Sequence, residues 1–98
     1  MDPEREFEWD DAKAEKNLAK HGVPFAYATR IFWDPQRVDF DVTRTADGEV
    51  RQKVIGVIEG RLYSVVYTVR EERLRLISAR RCNAKEERRY GPLHARPE

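Results

Sequence analysis

Arginine, lysine, tyrosine and one histidine outside the tail are the side chains in this sequence that could do chemistry. Arg80 and Arg81 stand at the exit of an apolar, β-branched stretch, and Tyr67 lies earlier in the same stretch. Arg51 follows an Asp-Gly turn, and Lys20-His21 precede Gly22. Guanidinium groups match phosphate oxygens bidentately, and a tyrosine ring can stack on an unpaired base. The set suits a phosphate-bearing partner. It is also compatible with metal-free RNA cleavage, in which the ribose 2′-OH attacks the adjacent phosphorus and cations neutralise charge growing on the equatorial oxygens. No residue stands out as the general base. Two histidines and one cysteine, none at ligand spacing, argue against structural zinc. There is no Gly-rich phosphate loop and no serine-nucleophile motif. Asp39 and Asp41 alternate on a strand and read as a solvated or salt-bridged face rather than metal ligands. No cofactor is expected.

Each candidate has a plainer structural alternative. Arg80 is the first choice for phosphate contact; its alternative is a salt bridge to Asp39 or Asp41. Successive strand side chains alternate, so only one of Arg80 and Arg81 should share a face with Tyr67 and line the site. Tyr67 either serves RNA or is a core tyrosine with a satisfied hydroxyl. Lys20 and His21 suit a helix C-terminus on dipole grounds alone, yet His21 is the imidazole available for proton transfer. Arg51 binds RNA or caps a sheet edge. Arg70, at a hairpin tip, reads first as a solvated turn; with Arg81 and Lys53 it completes the RNA-binding candidates. Glu86, Glu87, Arg88 and Arg89 read as a solvated helix face, Trp33 as core rather than an exposed anchor, and His94 as a tail residue with no role.

The elements that must position these groups follow from periodicity and punctuation. Arg61 to Asn83 is the organising stretch: Tyr63, Val65, Tyr67 and Val69 form one face, and Leu62 and Val66 the other. Charged Arg70 to Arg73 turns this strand into the next, which ends at Arg80-Arg81. Upstream, Phe7 and Trp9 suggest a short strand, and Asp10 caps a helix over Ala12 to His21 that Gly22 stops. Pro24 opens a second helix bearing Phe25, Ala28, Ile31 and Phe32, which ends at Trp33-Asp34-Pro35. Val38 to Val42 and Val50 to Ile58 are strands, turned at Asp47-Gly48 and Glu59-Gly60. Asn83 and Glu86 form a capping-box start for a helix over Ala84 to Tyr90. The order β-α-α-β-β-β-β-α implies an α+β domain, an antiparallel sheet with helices packed on one face.

The 98 residues suffice for one domain, its core over about 6–90 and a flexible tail over 91–98. No apolar run approaches the roughly 20 residues of a membrane helix. The acidic start lacks a signal-peptide segment, and Cys82 has no partner for a disulfide, which favours the cytoplasm. Net charge is only +1, but residues 1–16 carry a net of −4 and residues 70–96 a net of +5. The two ends can pair internally, or the basic end can face a polyanion.

Several ordered motifs carry a family resemblance. They are Phe7-Glu8-Trp9-Asp10, Asn17 with Lys20-His21-Gly22-Val23, the Asp-Gly-Glu turn with Arg51, Val66-Tyr67-Thr68 and Ile77-Ser78-Ala79-Arg80. Over about residues 7 to 90 the chain resembles the BrnT toxins. Pro24 departs from the serine or threonine cap of that pattern, and Arg81 from its usual lysine; one keeps the helix start and the other the charge. The resemblance implies a RelE-like fold and a ribonuclease toxin of a type II toxin–antitoxin module that arrests translation. It implies neutralisation by a BrnA-type antitoxin with a ribbon-helix-helix DNA-binding half, and repression of the operon by the complex, so that operator DNA is met only through the antitoxin. It also strengthens Arg80 and the Lys20-His21 pair as site residues. From the residues alone, a non-catalytic nucleic-acid-binding or protein-interaction module remains the alternative.

Overall fold

Two tight hairpins set the architecture. One turns through Glu59 and Gly60 with φ of 51° and 82°, the other through Glu71 and Glu72 with φ of 50° and 68°. Positive φ at both central positions gives the twist that two-residue hairpins need. Only Gly60 takes it without steric cost; Glu59 bears it in the first turn and both Glu71 and Glu72 in the second, which is the more strained. The expected four-residue turn shortens accordingly: Arg70 and Arg73 are paired strand residues.

A computed structural model describes residues 6–91; the expected tail from Pro92 on, with His94, lies outside the described residues. The elements are β1 (Glu6–Glu8), α1 (Asp11–His21), α2 (Phe25–Ala28), β2 (Val38–Asp41), β3 (Gln52–Ile58), β4 (Arg61–Arg70), β5 (Arg73–Arg81) and α3 (Ala84–Tyr90). Short 3-10 helices cover Thr29–Trp33 and Thr45–Asp47. The fold is α+β, built on a five-stranded sheet of order β1-β5-β4-β3-β2. Strands β2 to β5 are antiparallel, as short turns require. β1 is parallel to β5, so the sheet is mixed rather than purely antiparallel. No short turn ties β1 to a neighbour, so its direction is not fixed locally.

One face of the sheet carries Val54, Ile58, Tyr63, Val65, Tyr67, Leu74, Leu76 and Ala79, packed against Val23, Phe25, Ala28, Ile31 and Phe32. The second helix is α-helical for only four residues before tightening to a 3-10 helix. A period of three then keeps Phe25, Ala28, Ile31 and Asp34 buried in line. It also turns Trp33 outward, 64% exposed, which corrects its expected place in the core. Helix α3 departs from the expected single helical layer. Its Glu86 reaches Lys53, on the strand face opposite Val54, so α3 covers part of the other side.

Helix α1 has the caps its sequence promised: Asp10 accepts from the Ala12 and Lys13 amides, and Gly22 closes it at φ 74°. Buried Asn17 ties it to the sheet. Its carboxamide donates to the carbonyls of Ala79 at 2.8 Å and Val23 at 3.1 Å, and accepts from the Ala79 amide at 3.1 Å. β1 reaches only as far as Arg75 along β5. Beyond that point Asn17 does for Ala79 what a neighbouring strand would do. Asn17→Ala should therefore cost about 2–3 kcal/mol in urea denaturation, because buried backbone groups lose their partners; a loss near zero would contradict this role.

Candidate nucleic-acid interface

The face opposite the main core is where the cations gather, and a β-bulge puts them there. Val66 pairs with Ser78 while Tyr67 pairs with Leu76, so Ile77 is an extra residue in β5. In an unbroken strand Arg80 would share the face of Leu76 and Tyr67. The bulge reverses that alternation. Arg80, paired with Ser64, turns to the open face, and Arg81 turns to the helix-covered face, its guanidinium 5.9 Å from the Tyr63 ring centre.

Arg80 is joined by Lys53. Lys53 Nζ and Arg80 Nη2 each lie 2.7 Å from the same oxygen, Oε2 of Glu86, and Arg80 Nη1 donates to Oε1 at 2.8 Å. Glu86 Oε1 also accepts from the Asn83 amide at 3.0 Å, completing the capping box of α3. Glu86 is therefore a buried partner of two cations, not the solvated residue expected. The sequence signal for it was the capping box; Lys53, 33 residues away, left no local trace. Burial pushes the Glu86 carboxyl upward, but hydrogen bonds from Arg80, Lys53 and the Asn83 amide outweigh it and hold the group at about 2. Burial, reinforced by the charge of Glu86, pushes the Cys82 thiol to about 12 despite Arg80, which disfavours the thiolate at neutral pH.

Two cavities open on this face. The first, about 340 Å³, is lined by Phe40, Lys53, Ile55, Arg80, Asn83, Lys85, Glu86 and Arg89. Arg89 stacks 4.1 Å above the Phe40 ring centre, so it is not simply a solvated helix residue. The second, about 300 Å³, is lined by Val42, Arg44, Asp47, Arg51, Lys53, Val66, Ile77 and Ser78. Lys53 belongs to both and makes them neighbours. Together they present six cations against two carboxylates, an excess that favours an anionic ligand. Arg51 is held loosely, 3.5 Å from Asp47 and 3.6 Å from Glu49. Arg70 pairs with Glu49 at 3.0 Å at the far end of the same face.

The remaining candidates lie elsewhere. Tyr67 is a core residue on the helix-covered face, edge-on to Phe32, with its hydroxyl donating to Asp39 Oδ1 at 2.7 Å. It does not line a site with Arg80, because the bulge separates their faces. Asp39 is thus a partner of Tyr67 rather than of Arg80, and Asp41 accepts from the Thr43 amide. Lys20 and His21 end α1, which packs over β5 on the side to which Arg81 turns. The structure thus unites Arg80, Lys53 and Arg51 and leaves Lys20, His21, Tyr67 and Arg81 on the other side.

The depressed Glu86 carboxyl sets a pH dependence. A carboxylate held below its usual 4.5 stabilises the fold above that pH, and its contribution is lost as pH falls towards about 2. Acid titration of stability should show a loss on the order of 2 kcal/mol across that window. Glu86→Gln should flatten that part of the curve; an unchanged acid limb would contradict the pairing.

A family model described as "Ribonuclease toxin, BrnT, of type II toxin-antitoxin system" matches residues 9–86. A search among curated proteins returns no match. Residues 9–86 include every element from α1 to β5 and the Glu86 that closes the cation pair. The chain belongs to the BrnT family, the ribonuclease toxins of type II toxin–antitoxin systems.

Proposed function

We propose that this toxin is a metal-independent endoribonuclease whose Lys53 and Arg80 hold the scissile phosphate on the open face of the sheet. The observation that carries this reading is the convergence of both cations, at 2.7 Å each, on one oxygen of Glu86. An anionic oxygen bound there in place of the carboxylate would meet two charged donors already in position. Arg51 stands beside them across Lys53, and Arg70 extends the cationic track along the backbone.

The chemistry is transesterification. The 2′-oxygen bonds to phosphorus as the P–O5′ bond breaks, leaving a 2′,3′-cyclic phosphate and a 5′-hydroxyl. The 2′-OH proton must go to a base, and the leaving oxygen must gain one. Glu86 is the carboxylate beside the bound phosphate. Its basicity is suppressed while both cations hold it, and it recovers once the phosphate takes them. Substrate binding would thus free its own base.

The partner is an antitoxin, as membership of a type II system implies. We assign a BrnA-type ribbon-helix-helix protein to that role, covering the cationic cavities and binding operator DNA for the complex. Exposed Trp33 and Leu18 offer apolar anchors outside them.

The test is purified, antitoxin-free protein with total RNA in excess chelator. Cleavage with cyclic-phosphate ends is expected. Arg80→Ala and Lys53→Ala should each slow it by about 100-fold or more. Glu86→Gln should slow cleavage while RNA binding holds or tightens, since a competing negative charge is gone. A requirement for added divalent metal, or full activity in both cation variants, would overturn the mechanism. RNA bound but never cut would favour a non-catalytic binding module.

A further inference from the structure

Resting on that reading, we propose that the second cavity is a nucleobase subsite, selective for guanine or uracil, which carry a carbonyl where adenine and cytosine carry an amino group, next to the phosphate held by Lys53. The cavity shares Lys53 with the phosphate site and encloses about 300 Å³, room for a base and part of its ribose. Its walls are of two kinds. Val42, Val66 and Ile77 are apolar and suit the flat faces of a base. Ile77 is the extra residue of the β-bulge and Ser78 the residue after it, and both line the cavity. The irregularity that turns Arg80 to this face therefore also builds the neighbouring pocket.

The polar groups decide which base fits. Arg51 Nε is buried and has no hydrogen-bond partner. A guanidinium can only donate. Asp47, the one carboxylate of the pocket, is already engaged: its oxygens accept from Arg44 Nε, Nη2 and backbone amide, with Arg51 Nη1 3.5 Å away. What remains is a set of donors seeking acceptors, with the Ser78 hydroxyl able to serve either way. Guanine presents O6 and N7, and uracil its two carbonyl oxygens. At the position where guanine carries O6 and uracil O4, adenine and cytosine carry an amino group, which would set a donor against the donors of Arg44, Arg51 and Lys53.

Binding of short RNAs in which every 2′-OH is methylated tests this without cleavage, because the nucleophile is gone. An all-adenine hexamer is compared with hexamers carrying guanine, uracil or cytosine at the central positions, by fluorescence anisotropy. Guanine or uracil should tighten binding by about 10-fold, and cytosine should not. Ser78→Ala and, as a second variant, Ile77→Ala should bring that ratio towards one, with folding checked by circular dichroism. Arg80→Ala should weaken all hexamers alike and preserve the ratio. Equal affinities in the unaltered protein, a ratio unmoved by both pocket variants, or no binding at all would each overturn the subsite. Absence of cleavage with an intact ratio would count against the catalytic reading alone, whereas cleavage with no base preference in binding would remove the subsite alone.

Discussion

One carboxylate joins the two halves of this molecule's open face. Glu86 caps α3 through Asn83, fastens that helix to β3 and β5 through Lys53 and Arg80, and neutralises both cations. Such a partly buried ion cluster does not need to add stability on balance, but removing one partner leaves an uncompensated charge. Two cations therefore stay near each other in the resting protein, at a place where they would otherwise repel. The arrangement is a holding position: an anion with better geometry and more charge could take the same donors.

The cluster exists because of a single extra residue in β5. The sheet has a fixed period of two, so one inserted residue moves every later side chain to the other face. Without Ile77 as a bulge, Arg80 would be directed to the helix-covered face, opposite Tyr63. With it, the core gains Ala79 and the open face gains Arg80. Asn17 then fills the hydrogen-bonding gap left along β5 by the short β1. Helix α1, the bulge and α3 thus act on one strand, from its two faces and its edge.

Much of this was legible from local signals. Asp10, Gly22, the Asn83–Glu86 box and the Glu59-Gly60 turn act over a few residues, and each formed where the sequence placed it. The face shared by Tyr63, Val65 and Tyr67 also followed from alternation. What was not legible depends on partners distant in the chain. The parallel pairing of β1 is set by packing rather than by a turn. The bulge arises from cross-strand register, and Leu76-Ile77-Ser78-Ala79-Arg80 carries no glycine or proline to mark it. Glu86 looked like one charge among several on a short helix until β3 brought Lys53 to it. Trp33 was misplaced because a 3-10 turn has a different period from the helix expected there.

The central claim is that an RNA phosphate takes the Lys53–Arg80 donors on the open face of the sheet. A crystal structure of the antitoxin-free toxin with a 2′-O-methylated RNA tests it most directly. A phosphate oxygen within hydrogen-bond distance of both Lys53 Nζ and Arg80 Nη2, with Glu86 displaced, is the predicted result. RNA lying instead along Lys20, His21 and Arg81 on the helix-covered side, with the Glu86 pairs intact, would contradict it.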